Sequence, residues 1–193
     1  EEGGVVTNGM SVMARNGVNS NAALVASVDP APGKPLDAVE FQRNLERAAF
    51  ASARGGEYYA PCQTVGDFID GKSGTPPTRI KPSYRGGCVV MRDLCTILPR
   101  DVTGRMREGI LAFDRSLRGF AARDALLTGV ETRTSAPLRI IRGDDFTAPG
   151  HANVYPCGEG ITSAAADGLH TAEKIIARYK PAGCEDAGIR LGR

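Results

Sequence analysis

Apolar side chains recur at helical spacing in three stretches of the chain. In the clearest stretch they follow one another at steps of four, four, four, three and four: Leu98, Val102, Met106, Ile110, Phe113 and Leu117. Residues three or four positions apart share one face of an α-helix, so this spacing predicts a helix over residues 99–117. Similar patterns predict two more helices. One covers residues 36–53, after a proline-rich break, and the other covers residues 162–179, after a glycine turn.

Short β-prone runs bounded by turn residues predict five strands. They lie at residues 4–7, 22–28, 126–133, 138–142 and 154–157. Between the first two helices, residues 57–84 are rich in turn signals, which predict a long, mostly irregular excursion with one helical turn near residues 65–69. Helices and strands together predict a mixed α/β (α+β) fold.

A glycine-bracketed acid, Gly158-Glu159-Gly160, stands between the last predicted strand and the last predicted helix. Backbone N–H groups at the start of a helix bind anions, and glycines let a ligand approach the main chain closely. The pattern therefore predicts a site for a phosphate or for a polar edge of a cofactor. An ordinary strand–helix crossover explains the same glycines equally well, because one glycine-rich turn is a weak signal.

Composition narrows the choice of partners. The chain has 193 residues, of which 24 are basic and 22 acidic, with no long run of one sign, so neither nucleic acid nor an anionic membrane is an expected partner. A hydrophobic content of 41% and a charged content of 24% are typical of a globular protein. No apolar run approaches the roughly 20 residues of a membrane span.

The cysteine and histidine pattern offers no metal site and no catalytic nucleophile. The chain has five widely spaced cysteines without a CxxC pair: Cys62, Cys88, Cys95, Cys157 and Cys184. Reduced structural thiols in a cytoplasmic protein are the favoured interpretation. The two histidines, His151 and His170, form no predicted Ser–His–Asp or Cys–His arrangement, so no catalytic residue is assigned and both are expected at the surface.

Several segments resemble one protein family in the same order along the chain. VYPCGEG and SAAADGLHTAEK are similar to the C-terminal flavin-contacting segment of a family of bacterial FAD-dependent oxidoreductases, the flavoprotein or FAD-dependent dehydrogenases. EEGGVVTNGMS, FQRNLERAAF, LLTGVETRTSAPLRI and GDDFTAPG resemble the same proteins. The resemblance implies that Glu159 is similar to the carboxylate that binds the ribityl chain of FAD, and that Ile161 and Thr162 approach the flavin ring and pyrophosphate.

The same resemblance implies a second part of the pocket. It places Arg133, Thr134 and Ser135 at the mouth of the flavin or substrate pocket. The residues alone leave this open, because a polar bend between two strands has the same composition.

Two features depart from the family pattern. The family usually carries a glycine-rich insert resembling AGYAGG between GEG and the isoleucine, whereas Gly160 directly precedes Ile161 here. The strand–GxGxxG–helix fingerprint that holds the ADP half of FAD is not found in residues 1–193. We therefore expect the C-terminal portion of a longer flavoprotein, with its N-terminal dinucleotide-binding half missing. Residues 1–150 would be mostly a substrate-side or inserted domain, some of whose strands can return to the FAD domain, and residues 151–193 the last strand and helix of the FAD-binding domain.

The resemblance implies an activity for the full-length protein. It would be an FAD-dependent oxidoreductase or dehydrogenase that passes hydride or electrons through the flavin, with a small-molecule substrate or electron donor as partner. This portion alone, without the ADP-binding contacts, is expected to be inactive and free of FAD, its partner being the missing N-terminal half. The alternative is a non-catalytic α/β binding or structural module without flavin, and flavin absorbance of the full-length protein distinguishes the two.

Overall fold

A computed structural model describes residues 2–9, 12–28, 34–53, 56–133, 140–158 and 161–179. These residues form four α-helices and a three-stranded sheet, which confirms the predicted mixed α+β class. The chain divides into two compact units, here called the N-terminal unit (Glu1–Arg133) and the C-terminal unit (Thr134–Arg193). The functional division at residue 150 stays a prediction.

The sheet of the N-terminal unit is built around one short central strand. This strand, β1 (Ala60–Thr64), pairs in parallel with β2 (Val89–Met91) and antiparallel with β3 (Leu126–Thr128), giving the order β2-β1-β3. All five residues of β1 are buried. A strand covered on both faces shows no alternation of polar and apolar residues, which explains why its sequence, APCQT, does not read as a strand.

Three helices complete the N-terminal unit. They are α1 (Pro35–Ser52), α2 (Val65–Asp70) and α3 (Arg100–Ser116). Helix α2 follows β1 without a loop because the Thr64 side chain caps it, accepting a hydrogen bond from the backbone N–H of Asp67. It ends at Gly71, whose φ of 67° is left-handed and favours glycine.

Two apolar clusters form the core of this unit. The first contains Val5, Ala49, Ala60 and Val130, and the second contains Val65, Phe68, Leu94 and Ile110. Phe68 of α2 is fully buried. Removing a side chain of this size from water contributes about 1.5–3 kcal/mol, so the short helix α2 is fixed mainly by packing.

The predicted helices are confirmed within two residues, and the predicted helical turn near residues 65–69 is α2. The last predicted helix is α4 (Ile161–Tyr179) in the C-terminal unit. Residues 57–84 are mostly irregular as predicted, but they also contain β1, which the sequence did not predict. No helix within the described ranges is long and apolar enough to cross a lipid bilayer.

Most of the predicted strands are wrong or too long. Residues 4–7 make single backbone hydrogen bonds to two different partners, Glu46 and Val130, and no ladder. Residues 22–28 are not a strand, and the Ser27 carbonyl accepts a hydrogen bond from the Arg105 guanidinium instead. The strand predicted at 126–133 ends at Thr128, because the residues that follow turn towards α1.

The two strands predicted in the C-terminal unit are also not found among its described residues. Residues 138 and 139 lie outside the described ranges, and residues 140–142 carry no strand. Residues 154–157 are likewise not a strand; the Val154 carbonyl accepts a hydrogen bond from Ala148 in a local turn. Turn residues on both sides, including Gly150 with a φ of 77°, keep this segment folded back on itself.

Candidate functional site

The predicted cofactor turn begins at Gly158, immediately before α4. Its φ is 118°, a conformation that favours glycine, and a Cβ built there would meet no heavy atom within 4 Å. Glu159 and Gly160 lie outside the described residues. Ile161 and Thr162 form the first turn of α4 as predicted, and the description of these two residues is limited to their backbone.

A buried ion pair supports this turn. The Asp167 carboxylate accepts hydrogen bonds from the Gly158 N–H at 3.1 Å and from Arg142 Nη1 at 3.0 Å, and Arg142 Nη2 binds its second oxygen. Arg142 Nη1 also donates to the Pro156 carbonyl at 2.8 Å. The two charged side chains are 15% and 16% exposed. The hydrogen bonds to Asp167 raise the pKa of Arg142 above its ordinary value, against the opposing effect of desolvation.

The other end of α4 holds the same loop at a second point. Arg178 donates to the Ala152 carbonyl at 3.0 Å, and the Tyr179 hydroxyl donates to Asn153 Oδ1 at 2.7 Å. Arg178 and Asp167 are eleven positions apart, about 16 Å along a helix. Helix α4 therefore binds the loop 143–157 at two places. The ion pair lies near the N-terminal end of the helix, beside the glycine turn, and the contacts of Arg178 and Tyr179 lie at its C-terminal end.

The apolar and small side chains at helical spacing on α4 are exposed in the described part of the molecule. Leu169 and Ile176 are each about half exposed, and Ala165 and Ala172 are exposed as well. The buried residue on α4 is Thr171, whose hydroxyl has no hydrogen-bond partner among the described residues.

The second predicted pocket segment lies in the N-terminal unit and is bound to α1. Arg133 donates two hydrogen bonds to the Glu46 carboxylate, at 2.9 and 2.7 Å, and the Thr132 hydroxyl donates to the same carboxylate at 2.7 Å. Gln42 donates to the Thr132 carbonyl at 2.6 Å. Glu46 is only 3% exposed, whereas Arg133 is 54% exposed. Thr134 and Ser135 lie outside the described residues, and the place of Arg133 at a pocket mouth stays a prediction.

The two hydrogen bonds from Arg133 explain why Glu46 is negatively charged. The hydrogen bonds from Arg133 lower the pKa of this carboxyl against the opposing effect of burial. The carboxylate is thus ionised at neutral pH and holds residues 132 and 133 to α1. Sequence reasoning named Arg133 and missed Glu46, although both lie in the runs ETRTS and FQRNLERAAF on which the family resemblance rests.

Two thiols of the described residues, Cys62 and Cys95, are placed for packing. Burial raises the pKa of Cys62 to about 11, and burial together with Asp93 raises the pKa of Cys95 despite the Arg107 guanidinium at 3.0 Å from its sulfur. A thiol with a raised pKa is a weak nucleophile at neutral pH. Cys157 is exposed, as are His151 and His170. Across the described ranges, no group of three or more His, Cys, Asp or Glu side chains is arranged to hold a metal ion.

Sequence reasoning also missed the pair Arg142–Asp167. The available signal was an acid inside a helix start composed otherwise of small residues, in the run SAAADGL. A charged carboxylate is not expected to face an apolar surface, which indicates a charged or polar partner. The partner, Arg142, lies 25 positions earlier in the sequence. Spacing in the sequence cannot reveal a partner across a loop of that length.

Comparison with known proteins relates the N-terminal unit to a family. A family model described as "FAD-dependent protein, C-terminal domain-like" matches residues 1–134. An uncharacterized protein of Clostridium beijerinckii is 44% identical over 188 residues, which cover 93% of this chain and 35% of that protein. The chain thus spans about a third of the length of the relative it matches.

Proposed function

This chain belongs to the family described as FAD-dependent protein, C-terminal domain-like, and on that premise we propose that it forms the C-terminal part of an FAD-dependent oxidoreductase. The observation that carries the proposal is the family match over residues 1–134, which includes the whole N-terminal unit. In such a protein FAD supplies the hydride or electron chemistry when bound, while the polypeptide binds and orients it and its reaction partner. The substrate class is a small molecule or an electron donor.

The residues at the start of α4 fit a flat, anionic cofactor. Gly158 leaves open space where a side chain would stand, Ala165 and Ala166 are small and exposed, and a Cβ built on Gly168 would meet nothing within 4 Å. Helix starts carry backbone N–H groups without an intrahelical partner, which attract phosphate. In the proposal, Gly158, Glu159, Gly160, Ile161 and Thr162 hold the ribityl and pyrophosphate end of FAD.

The remaining contacts are assigned to the part of the protein outside this chain. The ADP half of FAD needs a dinucleotide-binding fold, which in the proposal is the N-terminal half of the full-length polypeptide and the partner of this chain. The segment around Arg133, held by Glu46, would serve the substrate side. A cytoplasmic location, favoured by the cysteine pattern, stays a prediction.

The proposal is tested on the full-length protein. Purified without added cofactor, it should show the visible absorbance bands of flavin, and the compound released by denaturation should co-elute with FAD and not with FMN. Residues 1–193 prepared alone are the matched control and should be colourless, because they lack the pyrophosphate and ribose contacts of the missing half. Full-length protein that stays colourless after incubation with excess FAD would contradict the proposal and favour a module without flavin.

A further inference from the structure

The ion pair between Arg142 and Asp167 does more than join two segments of the C-terminal unit. Both side chains are largely buried, and together they bind the main chain on both sides of one residue, at the Pro156 carbonyl and the Gly158 N–H. A charged pair removed from water is often no better for stability than apolar residues of the same size, so stability alone gives little reason for it. Its hydrogen bonds instead fix the direction in which the chain enters the glycine turn.

The contacts of Asp167 and Arg142 restrict the direction in which the chain enters the glycine turn. Asp167 lies in the second turn of α4, so its carboxylate ties the turn to the helix that follows it. Arg142 lies over the Phe146 ring, 4.1 Å from its centroid, and this contact limits the rotation of the guanidinium. The main chain leading to Glu159 is thus held by a rigid, planar donor and a paired acceptor.

We infer that Arg142 and Asp167 are positioning residues for FAD, which orient the Gly158 turn so that the residues after it can bind the cofactor. The inference rests on the proposed function. Neither side chain needs to contact FAD. Their effect passes through two backbone groups, the Pro156 carbonyl and the Gly158 N–H.

The test uses the full-length protein with Asp167→Asn and Arg142→Lys. Asn keeps the shape of the acid but loses its charge and one acceptor oxygen, and Lys keeps the positive charge but has no second nitrogen with which to bind both carboxylate oxygens of Asp167 as Arg142 does. As with residues that orient the ligands of metal sites, each change should raise the dissociation constant for FAD by about 10- to 100-fold. FAD is titrated into apoprotein at a temperature at which circular dichroism shows each variant folded.

Two control variants distinguish a role in positioning the Gly158 turn from the general effect of losing an ion pair. Asp124 binds Arg79 through both oxygens, at 2.8 and 3.2 Å, in the N-terminal unit. Asp124→Asn and Arg79→Lys are the same chemical changes and should leave FAD affinity within about twofold of wild type, because surface ion pairs contribute little. The visible circular dichroism of bound flavin is a second readout, and it should change in the Arg142 and Asp167 variants only.

Each outcome decides between the two proposals. Folded Asp167→Asn and Arg142→Lys proteins that bind FAD as wild type does, with an unchanged flavin spectrum, would overturn the positioning role and leave the proposed function standing. Wild-type protein that binds no FAD would overturn both. If Asp167→Asn does not fold, Arg142→Lys, which keeps the charge balance, decides alone.

Discussion

The two units of this protein differ in how they satisfy their buried polar groups. In the N-terminal unit, Gln63 accepts a hydrogen bond from the Leu94 N–H at 3.0 Å, and Asp67 accepts two from Thr75, at 2.9 and 2.8 Å. Glu46 accepts three from residues 132 and 133. Among the residues of this unit that the structure describes, Glu46, Gln63 and Asp67 each have partners within the unit, as is usual for buried polar groups.

In the described part of the C-terminal unit, one buried polar group lacks a hydrogen-bond partner. The Thr171 hydroxyl is 4% exposed and has no partner among the described residues, while Leu169 and Ile176 on the same helix are half exposed. The exposed side chains of Leu169 and Ile176 are surface that the proposed N-terminal half of the full-length protein would cover. We therefore expect mutations in the N-terminal unit to act mainly by lowering stability, and mutations in the C-terminal unit to act mainly by lowering cofactor affinity.

The largest effect is expected in the core of the N-terminal unit. Phe68 is fully buried, so Phe68→Ala should lower the free energy of unfolding of the full-length protein by about 3–5 kcal/mol through lost burial and a cavity. Urea denaturation followed by circular dichroism measures the change. Phe113→Ala removes the same atoms from a half-exposed position and should cost much less; equal losses would mean that α2 is not part of the core.

The next largest effect is expected on the affinity for FAD. In the full-length protein, Glu159→Ala should remove a charge-assisted hydrogen bond of about 1.5–3 kcal/mol, a roughly ten- to hundredfold loss of FAD affinity, with the fold retained. Flavin titration is the measurement, and Glu173→Ala, at an exposed position of α4, is a suitable control. Unchanged affinity would make Glu159 an ordinary turn residue.

A smaller loss is expected at Glu46. Glu46→Gln weakens the hydrogen bonds from Thr132 and Arg133, and because Arg133 is half exposed we expect a loss of about 1–2 kcal/mol in the free energy of unfolding. FAD affinity should change little if the comparison between the units holds. A large loss of affinity with a small loss of stability would place Arg133 in the pocket directly.

Glu46 should also give the stability a defined pH dependence. Its folded pKa lies below its ordinary value of 4.5, so its contribution is fully present above pH 4.5 and is lost as the pH falls through the folded pKa. Wild type should therefore lose stability below about pH 4.5 more steeply than Glu46→Gln. Parallel stability curves for the two proteins in this acidic range would argue against the ion pair.

The smallest effect is expected at Thr171. Replacing a buried, unpaired hydroxyl with a methyl group removes a desolvation penalty, so Thr171→Val should raise the stability of residues 1–193 by about 1 kcal/mol. Thermal unfolding of this chain and of the full-length protein should be compared. Destabilisation of either protein by Thr171→Val would contradict this prediction and show that the hydroxyl has a hydrogen-bond partner.

Long periodic segments were predictable from the sequence because the pattern extends over four or five turns. Helices α1, α3 and α4 are of this kind. The strands were not predictable in the same way. β1 contains Pro61, which has no N–H to donate, and three polar or small residues that are buried because they lie in the centre of the sheet. Its environment, which the local sequence does not encode, decides its structure.

The candidate site was predictable only in part. The turn at Gly158 and the start of α4 follow from local chemistry, since a left-handed glycine and a helix start leave signals within a few residues. The supporting side chains do not. Glu46 meets Arg133 across 87 positions, and Arg142 meets Asp167 across 25, so both pairs depend on tertiary structure.

The central position of β1 has a consequence for the order in which the polypeptide can fold on the ribosome. Cys62 pairs with Met91 on one side and with Thr128 on the other, partners that are synthesised 29 and 66 residues later. Until Thr128 has left the ribosomal tunnel, β1 keeps one row of main-chain groups without its native partner. The sheet is therefore completed late in the synthesis of the N-terminal unit, and contacts so distant in sequence also slow refolding.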